Sequence, residues 1–325
     1  MSVPCYPDFT PITIELKEFL HPRLSLTSDG VSEFSFSGLY LFRDRYNYRI
    51  SRDGTASSGA VNSGTANSVA VNSGEEGGYI ISGTQPSGSA CAEDRKKFFM
   101  TPCSAPKEST LESLFVSHDY WKNISESVLS SVKEKYENRG IAFSEDRDNF
   151  DYLYLRSDLA ELAGKKFHKK KNHVNNFLNA YPNHEQKTLC SELIPEAKEI
   201  LERWRLDSIR RNGDEGDYKA AKEALDLFDC LALKGSIFYI DKTPAAFCLG
   251  ESLARGRMFV THFEKAIDEY RGIYQYVNQA FAASLPNFFT LINREQDLGN
   301  EGMRQAKMTY RPCDFVRKFT ARSVK

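Results

Sequence analysis

The residues best suited to carry chemistry lie late in this sequence, where two apolar segments end in polar groups. MFVTHFEKA places His262 and Glu264 near the end of a predicted strand, and NFFTLIN is followed at once by charged residues. In open α/β sheets, ligands bind at strand ends because loop amides and helix N-termini converge there. We therefore expect a polar crevice in this region. Its candidate catalytic residues are Glu264, Glu295, Asp297, Arg304 and Lys307, and Arg294 is a candidate anion-binding residue.

Each of these residues also has a purely structural interpretation. His262 and Glu264 lie two apart in a predicted strand and should face the same side, where either could orient or deprotonate an amine or hydroxyl nucleophile. A salt bridge at the strand end would explain Glu264 equally well. Arg304 and Lys307 could return over the crevice from a helix near residues 301–308, or form ordinary ion pairs along that helix. Both interpretations stay open at the level of sequence.

A lysine-rich helix is the second candidate feature. GKKFHKKKNHV lies in a stretch without acidic residues between Glu161 and Glu185. Ammonium groups clustered on one helix suit the phosphates of RNA, a nucleotide or a lipid headgroup, although a solvated surface helix is the alternative. His168 and His173 are five apart, a spacing that does not put two metal ligands on one helical face. The candidate phosphate-binding residues are Lys169, Lys170, Lys171 and Asn172.

A third candidate is the pair Arg271-Gly272, which opens a predicted helix directly after a strand. Backbone amides at a helix N-terminus and the guanidinium fork could seat an anion together. A glycine that merely ends a turn is the competing interpretation. The sequence contains no GxxxxGK[ST], GxSxG or HExxH motif, which argues against the common nucleoside triphosphatases, serine hydrolases and zinc metalloproteases.

Charge and cysteine usage limit the functional classes further. The chain has 43 Lys and Arg against 44 Asp and Glu, so binding to nucleic acid or to a membrane surface must come from a local patch. Seven scattered cysteines without a CxxC pair indicate reduced thiols in a cytoplasmic protein and favour neither disulfides nor a zinc site. No apolar run approaches the ~18 to 20 residues that span a bilayer.

Length and patterning predict two α/β domains, in the broad sense that includes α+β, built of mixed sheets flanked by helices. We place the first domain at residues 1–160 and the second, which carries the candidate site, at residues 161–325. The first contains a Ser- and Gly-rich insertion at about 51–78. This segment cannot bury enough apolar surface to offset the entropy of ordering, so we expect it to be disordered. The segment from Glu33 to Ile50 predicts strands, and Glu112 to Arg139 predicts a helix.

Four segments make the chain resemble a bacterial family related to the C-terminal domain of phosphatidylglycerol lysyltransferases. They are SEFSFSGLYLFR, FDYLYLRSDLAELAGKKFHKKKNHVNNF, HFEKAIDEYRGIYQYVNQAF and INREQDLGNEGMRQAKMTYRP, which reach from about Ser32 to Pro312. The resemblance implies two tandem domains of the acyl-CoA N-acyltransferase (GNAT) type. It also implies transfer of an aminoacyl group from an activated ester, aminoacyl-tRNA, to an amine or hydroxyl acceptor such as a phospholipid headgroup, a small molecule or a peptide.

The resemblance also implies roles for the candidate residues. Phosphates of the donor would meet Lys169, Lys170 and Lys171 or Arg271; ammonium charge would meet Glu264, Glu295 and Asp297; the ester carbonyl would meet Arg304 and Lys307. Coenzyme A users of this fold carry an [RQ]xxGx[GA] loop, whereas Arg271 is followed at once by Gly272. This difference argues against coenzyme A as the donor. Two alternatives stay open: a coenzyme A-dependent N-acyltransferase, and a non-catalytic protein of the same fold that binds RNA or phospholipid.

Overall fold

The computed structural model describes residues 2–54, 78–86 and 95–324. Most of the insertion predicted at 51–78 lies outside the described residues. The chain divides into two compact units. Unit 1 comprises Met1–Leu24, Phe42–Glu145 and Lys318–Lys325, and unit 2 comprises Ser25–Leu41 and Asp146–Arg317.

Both units contain strands and helices. The strands are β1 (Thr10–Pro11), β2 (Arg49–Arg52), β3 (Tyr79–Thr84), β4 (Lys97–Met100), β5 (Tyr120–Ser125), β6 (Ile141–Glu145), β7 (Asp151–Leu155), β8 (His184–Thr188), β9 (Lys234–Ile240), β10 (Thr243–Leu253), β11 (Met258–Ala266), β12 (Leu291–Asn293), β13 (Asp314–Val316) and β14 (Lys318–Ser323). The α-helices are α1 (Lys17–Leu24), α2 (Phe36–Leu41), α3 (Arg43–Tyr46), α4 (Glu108–Ser117), α5 (Glu126–Glu137), α6 (Arg156–Glu161), α7 (His168–Ala180), α8 (Ile194–Asn212), α9 (Tyr218–Asp226), α10 (Ile273–Ser284) and α11 (Glu301–Met308).

Unit 1 is built on a mixed sheet of strand order β1-β2-β3-β4-β5-β14-β6. The neighbours β4 and β5 are parallel, and the other neighbouring strands pair antiparallel. Helices α4 and α5 contribute to an apolar core on one face of this sheet, where the rings of Phe99 and Trp121 stack at 5.6 Å between centroids. Burying large aromatic rings in this way is a main source of folding free energy.

Unit 2 is built on a second mixed sheet, of strand order β13-β7-β12-β11-β10-β9-β8. A turn at Asp241 and Lys242, both with left-handed φ, joins β9 and β10 into a hairpin. Strand β10 is buried without interruption over residues 245–251. A strand of this kind has both faces covered, here by α8 and by the core that contains α7 and α10. The predicted fold class, mixed sheets flanked by helices in two tandem units, is confirmed.

Helix α10 connects β11 to β12. The chain leaves β11, forms α10 and returns as β12, which pairs in parallel with β11. A parallel partner requires such a crossover. Tyr276 of α10 stacks on Phe177 of α7 at 4.6 Å between ring centroids, so the crossover helix is packed firmly and holds the ends of both strands.

A β-bulge between β10 and β11 sets the direction of one polar side chain. Leu249 pairs with Phe263 but Gly250 pairs with Thr261, so His262 is the extra residue of the bulge. Bulges re-aim side chains and are frequent beside functional sites. A Cβ on Gly250 would overlap the carbonyl oxygen of Val260, and this close approach of two backbones requires glycine.

The strands predicted between Glu33 and Ile50 are wrong except at the end of that segment. The chain forms α2 and α3, and β2 begins at Arg49. Phe36 and Leu39 are fully buried, and a short apolar run of this kind does not distinguish a strand from a buried helix by its periodicity. The hydroxyl of Ser35 accepts from the Gly38 amide at 2.8 Å, which stabilises the start of α2.

The helix predicted from Glu112 to Arg139 is interrupted by a strand. α4 ends at Ser117, β5 follows, and α5 begins at Glu126. The aromatic segment Tyr120–Ser125 pairs with β4 and β14, because strand pairing buries Trp121 in the sheet core. The hydroxyl of Ser125 then accepts from the Val128 amide and caps α5.

The division of the chain also differs from the predicted boundary at residue 160. Strand β7 at Asp151–Leu155 pairs with β12 and β13, so it belongs to the sheet of unit 2. Ser25–Leu41 also joins unit 2, because the Ser32 amide and hydroxyl both donate to the buried carboxylate of Asp151. Sequence order alone could not reveal this exchange of segments.

Replacing Gly250 with alanine should destabilise the protein by about 3 kcal/mol, because the new Cβ forces apart two backbones at the bulge. Gly302→Ala is the matched control, since that glycine lies exposed in α11 and alanine favours a helix by about 1 kcal/mol. Urea unfolding of the two variants tests this. Equal stability of Gly250→Ala and the wild type would show that the bulge is not constrained as described.

Candidate functional site

The candidate site lies in unit 2, where β11 and β12 stop pairing. Their last shared pair is Val260 with Asn293, after which β11 continues to Ala266 and the chain leaves β12 as a loop. Glu295 in this loop has a left-handed φ of 55°, which is uncommon for a residue with a side chain. With this backbone turn, the consecutive side chains of Arg294 and Glu295 both reach back to β11.

His262 lies between two carboxylates. Its Nε2 is 3.0 Å from Oε1 of Glu251 on β10, and its Nδ1 is 2.8 Å from Oε1 of Glu295. Both carboxylates accept, so both ring nitrogens donate and the ring is an imidazolium. Burial opposes this charge, but the hydrogen bonds to Glu251 and Glu295 outweigh it and raise the pKa of His262 to about 10. His262 is therefore unavailable as a general base at neutral pH, one of the two roles expected for it.

Glu264 and Arg294 form a second ion pair across the gap between β11 and the loop. Nη2 of Arg294 donates to Oε2 of Glu264 at 3.0 Å, and the guanidinium lies 5.7 Å from the ring centroid of Tyr310. Glu264 is thus already paired, and the ammonium role predicted for it would require exchange with Arg294. Burial raises the pKa of the nearby Cys248 thiol well above its usual value, so this cysteine is not a thiolate nucleophile.

Asp297 is fully buried and its oxygens are occupied. Arg304 donates to it from Nε at 2.9 Å and from Nη2 at 2.8 Å, and the Tyr152 hydroxyl donates at 2.6 Å. Burial opposes its charge, but the bonds from Arg304 and Tyr152 outweigh it and lower the pKa of Asp297. The predictions that Asp297 meets a substrate ammonium and that Arg304 meets an ester carbonyl do not fit this geometry. The two side chains instead pair with each other and stabilise the loop after β12.

Lys307 also stabilises this loop, through hydrogen bonds to its main chain. Its Nζ donates to the carbonyl oxygens of Arg294 at 2.6 Å, Glu295 at 3.0 Å and Gln296 at 2.6 Å. Burial and the charge of Arg294 lower the pKa of Lys307 to about 8, yet three acceptors match the three N–H groups of an ammonium. With every donor engaged, Lys307 does not fit the predicted contact with an ester carbonyl, and it holds the loop in the turn described above.

The lysine-rich helix reaches the same region through Tyr310. Nζ of Lys170 lies 4.0 Å from the ring centroid of Tyr310, which is also the ring beside Arg294. Burial and the charge of Arg294 lower the pKa of Lys170. Lys169, Lys171 and Asn172 are exposed on α7, so they are accessible to an anion.

Arg271 and Gly272 stand at the start of α10. Gly272 has φ 92° and precedes the first helical residue, and the side chain of Arg271 is exposed. A Cβ on Gly272 would come within 3.3 Å of the carbonyl oxygen of His173, so the start of α10 lies directly against α7. The two predicted anion-binding features are therefore neighbours.

The structure thus brings together most of the predicted residues, but their roles differ from those predicted. Glu264, Arg294 and Glu295 line the gap between β11 and its loop, while Asp297, Arg304 and Lys307 shape that loop. Sequence reasoning missed Glu251 and Tyr310. The one signal for Glu251 was an acidic residue beside a glycine in the otherwise apolar strand FCLGESL, and Tyr310 carried none.

The fold consists of two tandem units, each a mixed sheet flanked by helices, and in unit 2 the parallel strands β11 and β12 separate after three pairs. A solved structure of FemX matches 97% of this chain and 96% of its own with a TM-score of 0.51 at 10% sequence identity, which concerns the fold alone. A conserved protein of unknown function from Bacteroides thetaiotaomicron matches 97% of this chain and 99% of its own, with a TM-score of 0.77 and 26% identity.

The family follows from the sequence match. Residues 25–322 match the model of the phosphatidylglycerol lysyltransferase C-terminal family, and the chain belongs to that family. An uncharacterized protein of Mycoplasmoides gallisepticum is 26% identical over 202 residues, 60% of this chain. The match spans 62% of that relative's length. Within the part of the chain that the structure describes, no helix combines the length and the apolar composition needed to cross a bilayer.

The charge on His262 predicts a pH-dependent stability. Its folded pKa of about 10 lies above the unfolded value of 6.5, so its contribution is complete below about pH 6.5 and is lost as the pH rises towards 10. The loss is at most about 1.4 kcal/mol per pH unit. The lowered pKa of Lys307 changes the free energy of unfolding with pH in the opposite direction, so the wild type alone would not show the contribution of His262. The difference in unfolding free energy between wild type and His262→Gln, measured with urea from about pH 6 to 9, isolates that contribution. A difference that is flat with pH would contradict a buried imidazolium.

Proposed function

We propose that the chain is an aminoacyl- or acyltransferase that uses an activated ester donor, aminoacyl-tRNA, and an amine or hydroxyl acceptor. Family membership supports the transferase class. The observation that carries the proposal further is the shared ring of Tyr310, which lies 4.0 Å from Lys170 and 5.7 Å from Arg294. The ring places the lysine-rich helix beside Arg294, the residue that directly precedes Glu295, and the Glu295 carboxylate is suited to an ammonium group.

The proposed reaction is a direct displacement at the ester carbonyl. The acceptor N–H or O–H group attacks the carbonyl carbon, the bond to the tRNA ribose oxygen breaks, and the proton lost by the acceptor ends on that oxygen. Lys169, Lys171 and Arg271 would hold donor phosphates, and Glu295 would hold the free ammonium of the aminoacyl group. The main contribution of the protein is positioning. The raised pKa of Cys248 supports transfer without a covalent thioester intermediate.

Binding of tRNA should depend steeply on salt. We expect the triple variant Lys169→Ala, Lys170→Ala, Lys171→Ala to bind more weakly and to reduce the slope of log affinity against log salt by about 2, because each phosphate contact contributes roughly 0.7 to 0.9. Fluorescence anisotropy with labelled tRNA at several salt concentrations measures this. The control triple variant changes Lys133, Lys219 and Lys242, which are exposed and lie outside α7 and α10, and should keep the wild-type slope. Absence of binding at low salt would remove tRNA as the donor.

Transfer itself should require the charge of Glu295. Incubation with tRNA carrying a labelled amino acid and a fractionated cell extract should label an acceptor, and Glu295→Gln should reduce the rate about 100-fold or more, a loss typical of a misplaced reacting group. Glu301→Gln, an exposed acid on α11, is the matched control and should transfer normally. Undiminished transfer by Glu295→Gln would show that another group binds the aminoacyl moiety.

The same assays separate the two alternatives. A coenzyme A-dependent N-acyltransferase would label acceptors from an acyl-coenzyme A and ignore tRNA. A non-catalytic RNA- or phospholipid-binding protein would retain the salt-dependent binding and transfer no label from either donor.

A further inference from the structure

The charges of Glu251, His262 and Glu295 do not balance. Two carboxylates share one imidazolium, so the group carries one net negative charge in a largely buried position. The neighbouring carboxylates are compensated differently: Glu264 has Arg294, and Asp297 has Arg304. The nearby Lys307 donates to main-chain carbonyl oxygens of the loop and not to either carboxylate. A buried charge with no counter-charge bonded to it is costly, and the cost falls when a cation binds.

Glu295 is the member of this group that reaches the surface. Its side chain is 24% exposed, against 4% for Glu251 and 2% for His262. The excess negative charge is therefore accessible to a ligand at Glu295, while the other two groups lie behind it.

Several hydrogen bonds fix the backbone of Glu295. Its amide donates to Oδ1 of Asn293 at 2.8 Å, and its carbonyl accepts from Lys307 Nζ and from the Tyr152 amide. These bonds maintain the left-handed φ at Glu295. A backbone conformation of this kind persists when its surroundings over-determine it, and it is concentrated at functional sites.

We propose that His262 and Glu251 are positioning residues, which together present the carboxylate of Glu295 to a primary ammonium group of the substrate. His262 fixes the carboxylate in place, and Glu251 cancels the charge of His262 so that Glu295 keeps its attraction for a cation. Glu251 acts through His262 and has no contact with the ligand. This inference rests on the proposed function for the identity of the ligand as an aminoacyl compound.

The charged groups around His262 have separable roles. Glu251 faces it from β10 and Glu295 from the loop after β12. On β11 itself, Glu264 is engaged by Arg294. Lys307 of α11 holds the main chain of Glu295. A change at Glu251 therefore alters the charge of the group and leaves the loop bonds and the Glu264–Arg294 pair in place.

The test compares two small probes with purified protein: L-alaninamide, which carries an ammonium group, and N-acetyl-L-alaninamide, which does not. Calorimetric titration near pH 7 should detect binding of the first probe alone. Glu251→Gln keeps a hydrogen-bond acceptor for His262 but removes one charge, and should weaken L-alaninamide binding about tenfold or more, as expected for a charge several ångströms away. Ser208→Ala, which removes the hydrogen bond from a serine of α8 to the carbonyl oxygen of Asp214 without changing charge, is the stability control and should bind within about twofold of wild type.

A second measurement does not depend on any variant at the site folding well. Nitrogen NMR of the wild-type imidazole rings, with His262 assigned by comparison, should show both ring nitrogens protonated at about pH 8, where ordinary histidines are neutral. Adding L-alaninamide should shift the His262 signals, and adding the acetylated probe should not.

Three results would overturn the inference: a neutral His262 at that pH, equal binding of the two probes, or wild-type affinity in folded Glu251→Gln. These results are independent of tRNA. If L-alaninamide binds as described and no label is transferred from charged tRNA, the proposed donor is wrong and the positioning roles stand. If transfer occurs and L-alaninamide fails to bind, the positioning roles are wrong and the transferase stands.

Discussion

The separation of β11 from β12 after three paired residues is the constraint on which the rest of unit 2 depends. Where the strands part, polar side chains bridge β11 and the loop after β12. His262 and Glu264 of β11 meet Glu295 and Arg294 of the departing loop. Removing one partner of such a buried pair costs about 3 to 5 kcal/mol, because the remaining charge is left without a counter-charge.

Around this gap, binding and support are carried by different residues. Asp297 with Arg304, and Lys307 with three carbonyl oxygens, hold the loop from behind. The strained backbone of Glu295 is a consequence of that support. The exposed lysines of α7 and the start of α10 supply positive charge. An aminoacyl ester on a polyanionic carrier has phosphates at one end and a free ammonium group at the other, and a protein that binds it must contact both.

Much of unit 2 could be predicted from sequence because its patterns are local. The hairpin turn, the lysine-rich helix and the polar residues after two apolar strands all follow from residue type and spacing. What could not be predicted depends on three-dimensional neighbours. Asp297 and Lys307 look like ligand-binding groups in sequence, and burial among carbonyl and guanidinium partners is what makes them structural. Glu251 is brought to His262 by a bulge, and nothing local marks the residue that a bulge will re-aim. In the first half, short apolar runs were ambiguous between strand and buried helix, so α2 and β5 were misassigned.

The central claim is that one site binds both the phosphates and the free ammonium of an aminoacyl-tRNA. The most direct test is to compare the affinities of wild type and Glu295→Gln for one tRNA in three forms: uncharged, aminoacylated, and N-acetyl-aminoacylated. The account predicts that the wild type binds the aminoacylated form most tightly, that Glu295→Gln loses this preference, and that the salt slope is the same for all three forms. Equal affinity of the wild type for the three forms would contradict it.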